Sequence, residues 1–148
     1  LNRMYKECNE FYHALAKHFG LSDSAFWILY TLREEGRPLS ATDLGGALFL
    51  SKQTIHSGVR SLEERGLLKL RSSSEDKRNK EICLTEKGEA FSQESVDQVV
   101  AFEEKAFLDL GAGERLSRIQ AERHYLDALW EAARPLFKRE SPEGIWQR

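Results

Sequence analysis

The chain has 148 residues, of which 41% are apolar and 31% charged. That is the size of one domain, with apolar surface enough for a core that needs no disulfide or metal and too much for a disordered chain. No apolar run approaches the ~20 residues of a membrane span, and two cysteines, Cys8 and Cys83, make no disulfide framework.

No basic-then-apolar signal segment opens the chain, so a reducing cytoplasm is the expected location. The first residue is Leu1 and not a methionine, which leaves room for residues upstream. The net charge of −2 conceals an uneven distribution. From Arg37 to Lys87, ten Lys/Arg stand against seven Asp/Glu, a net of +3, and the rest of the chain carries −5. Phosphate binding follows local charge, so the acidic total does not exclude a nucleic-acid partner.

Residues 1–19 read as a helix, with Tyr5, Cys8, Tyr12, Leu15 and Phe19 on one apolar stripe and Gly20 at its stop. Ser22 is placed to cap a second helix that buries Ala25, Phe26, Ile28, Leu29 and Leu32 and ends near Gly36. Ser40 and Asp43 form a capping box for a short third helix carrying Leu44, Ala47 and Leu48. Ser51 then caps a fourth helix, Lys52 to Arg65, which stops at Gly66. Two helices joined this closely make a helix-turn-helix.

The period then changes. Residues 67–71 and 81–84 alternate partially, which predicts two short strands around a polar loop. A hairpin in that place is a wing. Thr85 caps a long helix expected to run to about Leu110, where Gly111-Ala112-Gly113 interrupts it. A last helix is expected from Glu114 to about Lys138. Its Leu116, Ile119, Leu126, Trp130, Ala133 and Phe137 fall on a four/three repeat that Arg123 breaks once, a coiled-coil-like seam.

The fourth helix carries the chemistry. Ile55, Val59 and Leu62 share its buried face. Lys52, Gln53, His56, Ser57 and Arg60 share the other, with no carboxylate among them. Gln53 can offer a donor and an acceptor to an adenine edge, and Lys52, His56 and Arg60 can donate to guanine or phosphate. Ser51 and Thr54 are short enough to meet phosphate closely, at the end where the helix dipole favours anions. On the wing Arg71, Lys77, Arg78 and Lys80 supply cations, and Asp76 can pair with Arg78 to shape the tip. The competing reading of both groups is a solvated polar surface.

In order, Leu21-Ser22, Asp43-Leu44-Gly45, Leu50-Ser51, Thr54, Leu62-Glu63, Gly66-Leu67, Arg71, Asp76-Lys77-Arg78 and Leu84-Thr85-Glu86-Lys87-Gly88 resemble the MarR family of winged-helix regulators. The resemblance covers residues 21–88. It implies a mostly α fold: a winged helix-turn-helix over 21–88, set in a helical dimerisation domain of residues 1–20 and 89–148. It also implies a homodimer on pseudo-palindromic double-stranded DNA, with the recognition helix in the major groove and the wings in the flanking minor groove. The function expected is therefore that of a sequence-specific transcriptional regulator acting as a repressor.

The family places effector pockets near the junction of the two parts. Here Tyr12, Trp27, Tyr30 and Phe91 could hold a small apolar or aromatic anion, with His13 or Arg33 as its charge partner. The same aromatics would equally fill a core. Some relatives sense peroxides through a cysteine in the first helix, but at an earlier position than Cys8, which lies on the apolar stripe and reads as a buried, inert thiol. A winged-helix protein-interaction module without DNA is the other alternative. For an enzyme there is no G-x-S-x-G, no phosphate-cradling glycine loop and no metal-spaced cluster. No catalytic residue, metal or cofactor is expected.

Overall fold

Capping and glycine exits set the element boundaries in the computed structural model, which describes residues 2–72 and 80–137. Helix α1 (Asn2–His18) ends in a Schellman turn at Gly20, whose φ is +68°. There Leu21 N–H reaches Ala16 O at 2.8 Å and Gly20 N–H reaches Lys17 O at 3.0 Å. Ser22 caps α2 (Asp23–Glu35) by accepting from Ala25 N–H, and Gly36 closes it in the left-handed region. Strand β1 (Leu39–Ser40) leads into α3 (Ala41–Leu48). The capping box is complete: Ser40 Oγ accepts from Asp43 N–H at 3.1 Å, and Asp43 Oδ2 accepts from Ser40 N–H at 2.9 Å. The Ser40 hydroxyl, donating to Asp43 Oδ2 at 2.7 Å, and then the Ser40 N–H hold the Asp43 carboxyl below its ordinary pKa. Helix α4 (Lys52–Glu64) follows, then β2 (Leu68–Ser72) and β3 (Lys80–Leu84).

The three strands form one antiparallel sheet in the order β1-β3-β2. Leu39 pairs with Ile82, Leu70 with Ile82 on its other side, and Arg71 with Glu81. The sequence pattern did not disclose β1, because two residues are too few to show alternation.

Of the described residues, those up to Asp97 form one compact unit and those from Gln98 on a second. The core of the first is built from Phe26, Ile28 and Leu29 of α2, Leu44 of α3, Ile55 and Leu62 of α4, Leu67 just before β2 and Ile82 of β3, all at most 2% exposed. A Cβ built on Gly58 would stand 2.6 Å from Ile28 Cδ1, so the bare α-carbon lets α4 lie close on α2. Gly88 is tighter, with a Cβ there falling 2.0 Å from the carbonyl oxygen of Leu67.

Four expectations need correction. The long helix after Thr85 is two helices, α5 (Glu86–Glu94) and α6 (Val96–Asp109). Ser95 separates them, with φ −125° and ψ −71°. Its hydroxyl donates to Phe91 O at 2.6 Å, the side-chain competition with backbone that lets serine break helices. The last helix, α7, runs Ala112–Ala133. It starts early because Glu114 Oε2 accepts from Gly111 N–H at 2.7 Å. It ends early, passing into a 3-10 turn over Arg134–Phe137, where Pro135 supplies no N–H and its ring crowds the preceding turn. Cys8 is exposed, not buried. The apolar stripe of α1 is covered at Ala16 and half-covered at Tyr12, Leu15 and Phe19, but its N-terminal half, with Tyr5 and Cys8, lies open.

Candidate nucleic-acid interface

Helix α4 is fixed at both ends. Ser51 Oγ accepts from Thr54 N–H at 3.1 Å and shares a hydrogen bond with Thr54 Oγ1 at 2.8 Å. At the exit, Gly66 N–H reaches Glu63 O at 2.8 Å and Leu67 N–H reaches Leu62 O at 2.9 Å, a second Schellman turn. Arg65 ties that exit down. It donates to Gly20 O at 3.0 Å and its guanidinium lies 5.1 Å over the Phe91 ring, while Lys87 Nζ donates to Arg65 O at 2.7 Å. The sequence pattern offered no sign of this anchor, since its partners lie 22 to 45 positions away.

With its axis so held, α4 buries Ile55, Gly58, Val59 and Leu62 and exposes Lys52, Gln53, His56, Ser57 and Arg60. Between that exposed face and the hairpin lies a groove of about 630 Å³. Gln53, His56, Ser57, Arg60 and Glu63 line it from the helix, Leu70, Lys80 and Ile82 from the strands, and Ala41, Ile55 and Val59 complete it. Donors and cations thus rim an apolar floor. Arg60 is steadied by Glu64, Nε to Oε1 at 3.0 Å.

The expected site residues divide on this geometry. Gln53, His56, Ser57, Arg60 and Lys80 come together around the groove. Ser51, Lys52 and Thr54 stand at the amino end of the same helix. Arg71 does not join them. Alternation along β2 sets it on the face opposite Leu70, where its Nε donates to Glu81 Oε2 at 2.9 Å and that bond raises its pKa. Asp76, Lys77 and Arg78 lie outside the described residues. Glu63 was not among the expected residues; it lies three positions beyond Arg60, so helical spacing was the available signal.

Residues 19–79 match the sequence profile of the MarR family. A helix-turn-helix with a grooved wing, that match and the likeness of nearly the whole chain to a solved member agree. The chain is similar to the MarR family of transcriptional regulators. The solved member is NMB1585, a MarR family regulator from Neisseria meningitidis, at 28% identity over 95% of this chain and 94% of that one, with a TM-score of 0.71. Reduced AbfR, solved bound to DNA, is similar at 27% identity over 86% of this chain and 87% of that one, with a TM-score of 0.61. Among curated proteins, the HTH-type transcriptional regulator YwoH of Bacillus subtilis is 33% identical over 91 residues. That alignment takes in 62% of this chain and 65% of YwoH, just under two thirds of the curated relative's length.

In this chain the aromatic residues expected to form an effector pocket lie partly together. Tyr12 and Trp27 have ring centroids 4.8 Å apart, and Trp27 and Tyr30 5.4 Å apart; all three are half-buried. Phe91 lies beneath Arg65. Both candidate charge partners are engaged. His13 Nδ1 is 2.8 Å from Asp23 Oδ1, and Arg33 is held by Asp97 and Glu89. Among the described residues no group of His, Cys, Asp or Glu is arranged to hold a metal ion, and no helix is long and apolar enough to cross a membrane.

Proposed function

We propose that the protein is a sequence-specific DNA-binding repressor that works in the cytoplasm as a homodimer on a pseudo-palindromic operator. The observation that carries this reading is the groove between α4 and the hairpin, where Gln53, His56, Ser57, Arg60 and Lys80 converge. Residues 21–88 form the DNA-binding part. In it Gln53 and Arg60 read base edges, while Ser51, Lys52, Thr54, Lys80 and the wing cations Lys77 and Arg78 meet phosphate or the minor groove, and Arg71 stays paired with Glu81. Asp76 shapes the wing. Residues 1–20 and 89–148 supply the dimer contacts.

The AbfR complex supports a DNA partner for the fold at this level of identity. The test is selection of duplexes from a fragmented genome, followed by titration of the enriched sequence at two salt concentrations. Enrichment of a two-fold-related motif with salt-dependent affinity is expected. Failure to enrich any sequence would leave the protein-interaction reading in its place. A small aromatic or apolar anion bound beside Tyr12, Trp27, Tyr30 and Phe91 would release DNA only by favouring one spacing of the two recognition helices. Since His13 is already hydrogen-bonded to Asp23 and Arg33 is ion-paired with Asp97 and Glu89, such a ligand would have to displace one of these carboxylates to gain a partner.

A further inference from the structure

Glu63 lines the same groove as Gln53, His56, Arg60 and Lys80. Its neighbour Glu64 is engaged with Arg60. The Glu63 carboxylate, in contrast, is exposed and has neither hydrogen bond nor ion pair with any described residue. It also sits in the last turn of α4, where the carbonyl end of the helix adds negative potential. An unpaired anion on a surface that must approach DNA repels every phosphate placed near it. The groups on a duplex that can compensate it are hydrogen-bond donors. In the major groove these are the exocyclic amines, N4 of cytosine and N6 of adenine; guanine and thymine present acceptors there.

From this placement we infer that Glu63 is a specificity determinant of the groove, accepting a hydrogen bond from a cytosine or adenine amino group and rejecting guanine, thymine and loosely seated phosphate. The inference rests on the groove being the DNA interface. It gives the helix a repulsive element alongside the attractive Gln53 and Arg60, which is how affinity differences between right and wrong partners are widened.

The experiment compares the full chain with Glu63→Gln, which keeps size and polarity but loses the charge and can donate as well as accept. Both proteins select from a randomised duplex pool, and both are titrated with one fixed duplex of arbitrary sequence. Thermal unfolding of each checks that this exposed substitution leaves the fold intact. The expected result has two parts: a position restricted to cytosine or adenine in the wild-type motif opens to guanine or thymine in Glu63→Gln, and affinity for the arbitrary duplex rises several-fold. The same base preferences at every position, or no gain on the arbitrary duplex, would overturn the assignment. If the wild type enriches no motif and binds neither duplex, the DNA reading of the groove falls, and this inference with it.

Discussion

Arg33 grips Asp97 with two parallel hydrogen bonds, Nε to Oδ1 at 2.9 Å and Nη2 to Oδ2 at 2.8 Å. Its remaining arm, Nη1, reaches Glu89 Oε2 at 2.7 Å. One guanidinium from α2 thus joins α5 and the first turn of α6 on either side of the Ser95 break. The fork geometry suits arginine and not lysine.

The grip holds the Asp97 carboxyl below its ordinary pKa, chiefly through the hydrogen bonds from Arg33. A carboxylate depressed in the folded state contributes stability that is complete above the unfolded value, near 3.9, and is lost as pH falls through the folded value. Asp97→Asn is expected to flatten the fall of the melting temperature below about pH 4. Asp43, depressed by Ser40, keeps part of that slope. Because the Asp97 side chain is 43% exposed, the cost at neutral pH should be only about 1 kcal/mol. Thermal melts of both proteins across acid pH read both effects, and parallel curves would refute the coupling.

Two glycines predict unequal penalties. Gly88→Ala drives a methyl onto the Leu67 carbonyl oxygen, an atom fixed in the backbone that also accepts Thr85 N–H at 3.0 Å. The β3–α5 junction must move, and a loss of about 3 kcal/mol or more is expected. Gly58→Ala meets the terminal methyl of the Ile28 side chain, which can turn aside where a backbone carbonyl cannot, and a better helix former offsets up to about 1 kcal/mol of the clash. Urea unfolding should rank Gly88→Ala far below Gly58→Ala. Equal midpoints would show that the two contacts yield alike.

The local rules that shape these elements were largely legible in the sequence. Ser22, Ser40, Ser51 and Thr85 each cap the helix they precede, and Gly20, Gly36 and Gly66 each adopt positive φ at an exit. Such signals are contained within four or five residues. The break at Ser95 was not legible, because a serine in an amphipathic run reads as a solvated residue, whereas Ser92 and Ser95 are at most 1% exposed. Arg71 was legible as a cation but not as a partner of Glu81, since that pairing needs the register of the hairpin. The groove itself was legible only from the helix side. Leu70 looked like a strand residue, and Lys80 like one wing cation among four, until the fold set both opposite α4.

Lys80 and Arg71 should therefore separate in DNA binding. Lys80 lines the groove beside Arg60, and Arg71 is paired on the other face of the hairpin. Lys80→Ala is expected to weaken all duplexes alike and to reduce the slope of log affinity against log salt by about one, the change for one lost phosphate contact. Arg71→Ala should change the slope by much less. Fluorescence anisotropy over a salt series distinguishes them. An equal loss of slope from both would mean that the Glu81 pair opens on DNA and that both faces of the wing are used.

Helix α7 has no buried residue along its length. Leu116, Ile119, Leu126 and Leu129 are each 46–59% exposed within this one chain, and Phe102 and Leu108 of α6 are 50% and 68% exposed. Single exposed leucines are ordinary, but a recurring apolar row on a helix with nothing buried is the mark of a surface that another chain covers. A second copy is the occupant that the dimer reading requires, and a two-fold axis would let the four/three repeat meet itself. Ile119→Glu and Leu126→Glu together would place two charges on each copy of that seam. The pair is expected to shift the protein to monomer at micromolar concentration while leaving the α2–α4 core, which belongs to the other compact unit, folded. DNA affinity should fall with it, because two recognition helices no longer bind as one unit about one DNA turn, ~34–36 Å, apart. Sedimentation velocity reads the first effect and titration of a two-fold-related duplex the second. A variant that stays dimeric and binds as before would place the dimer contacts elsewhere in the chain.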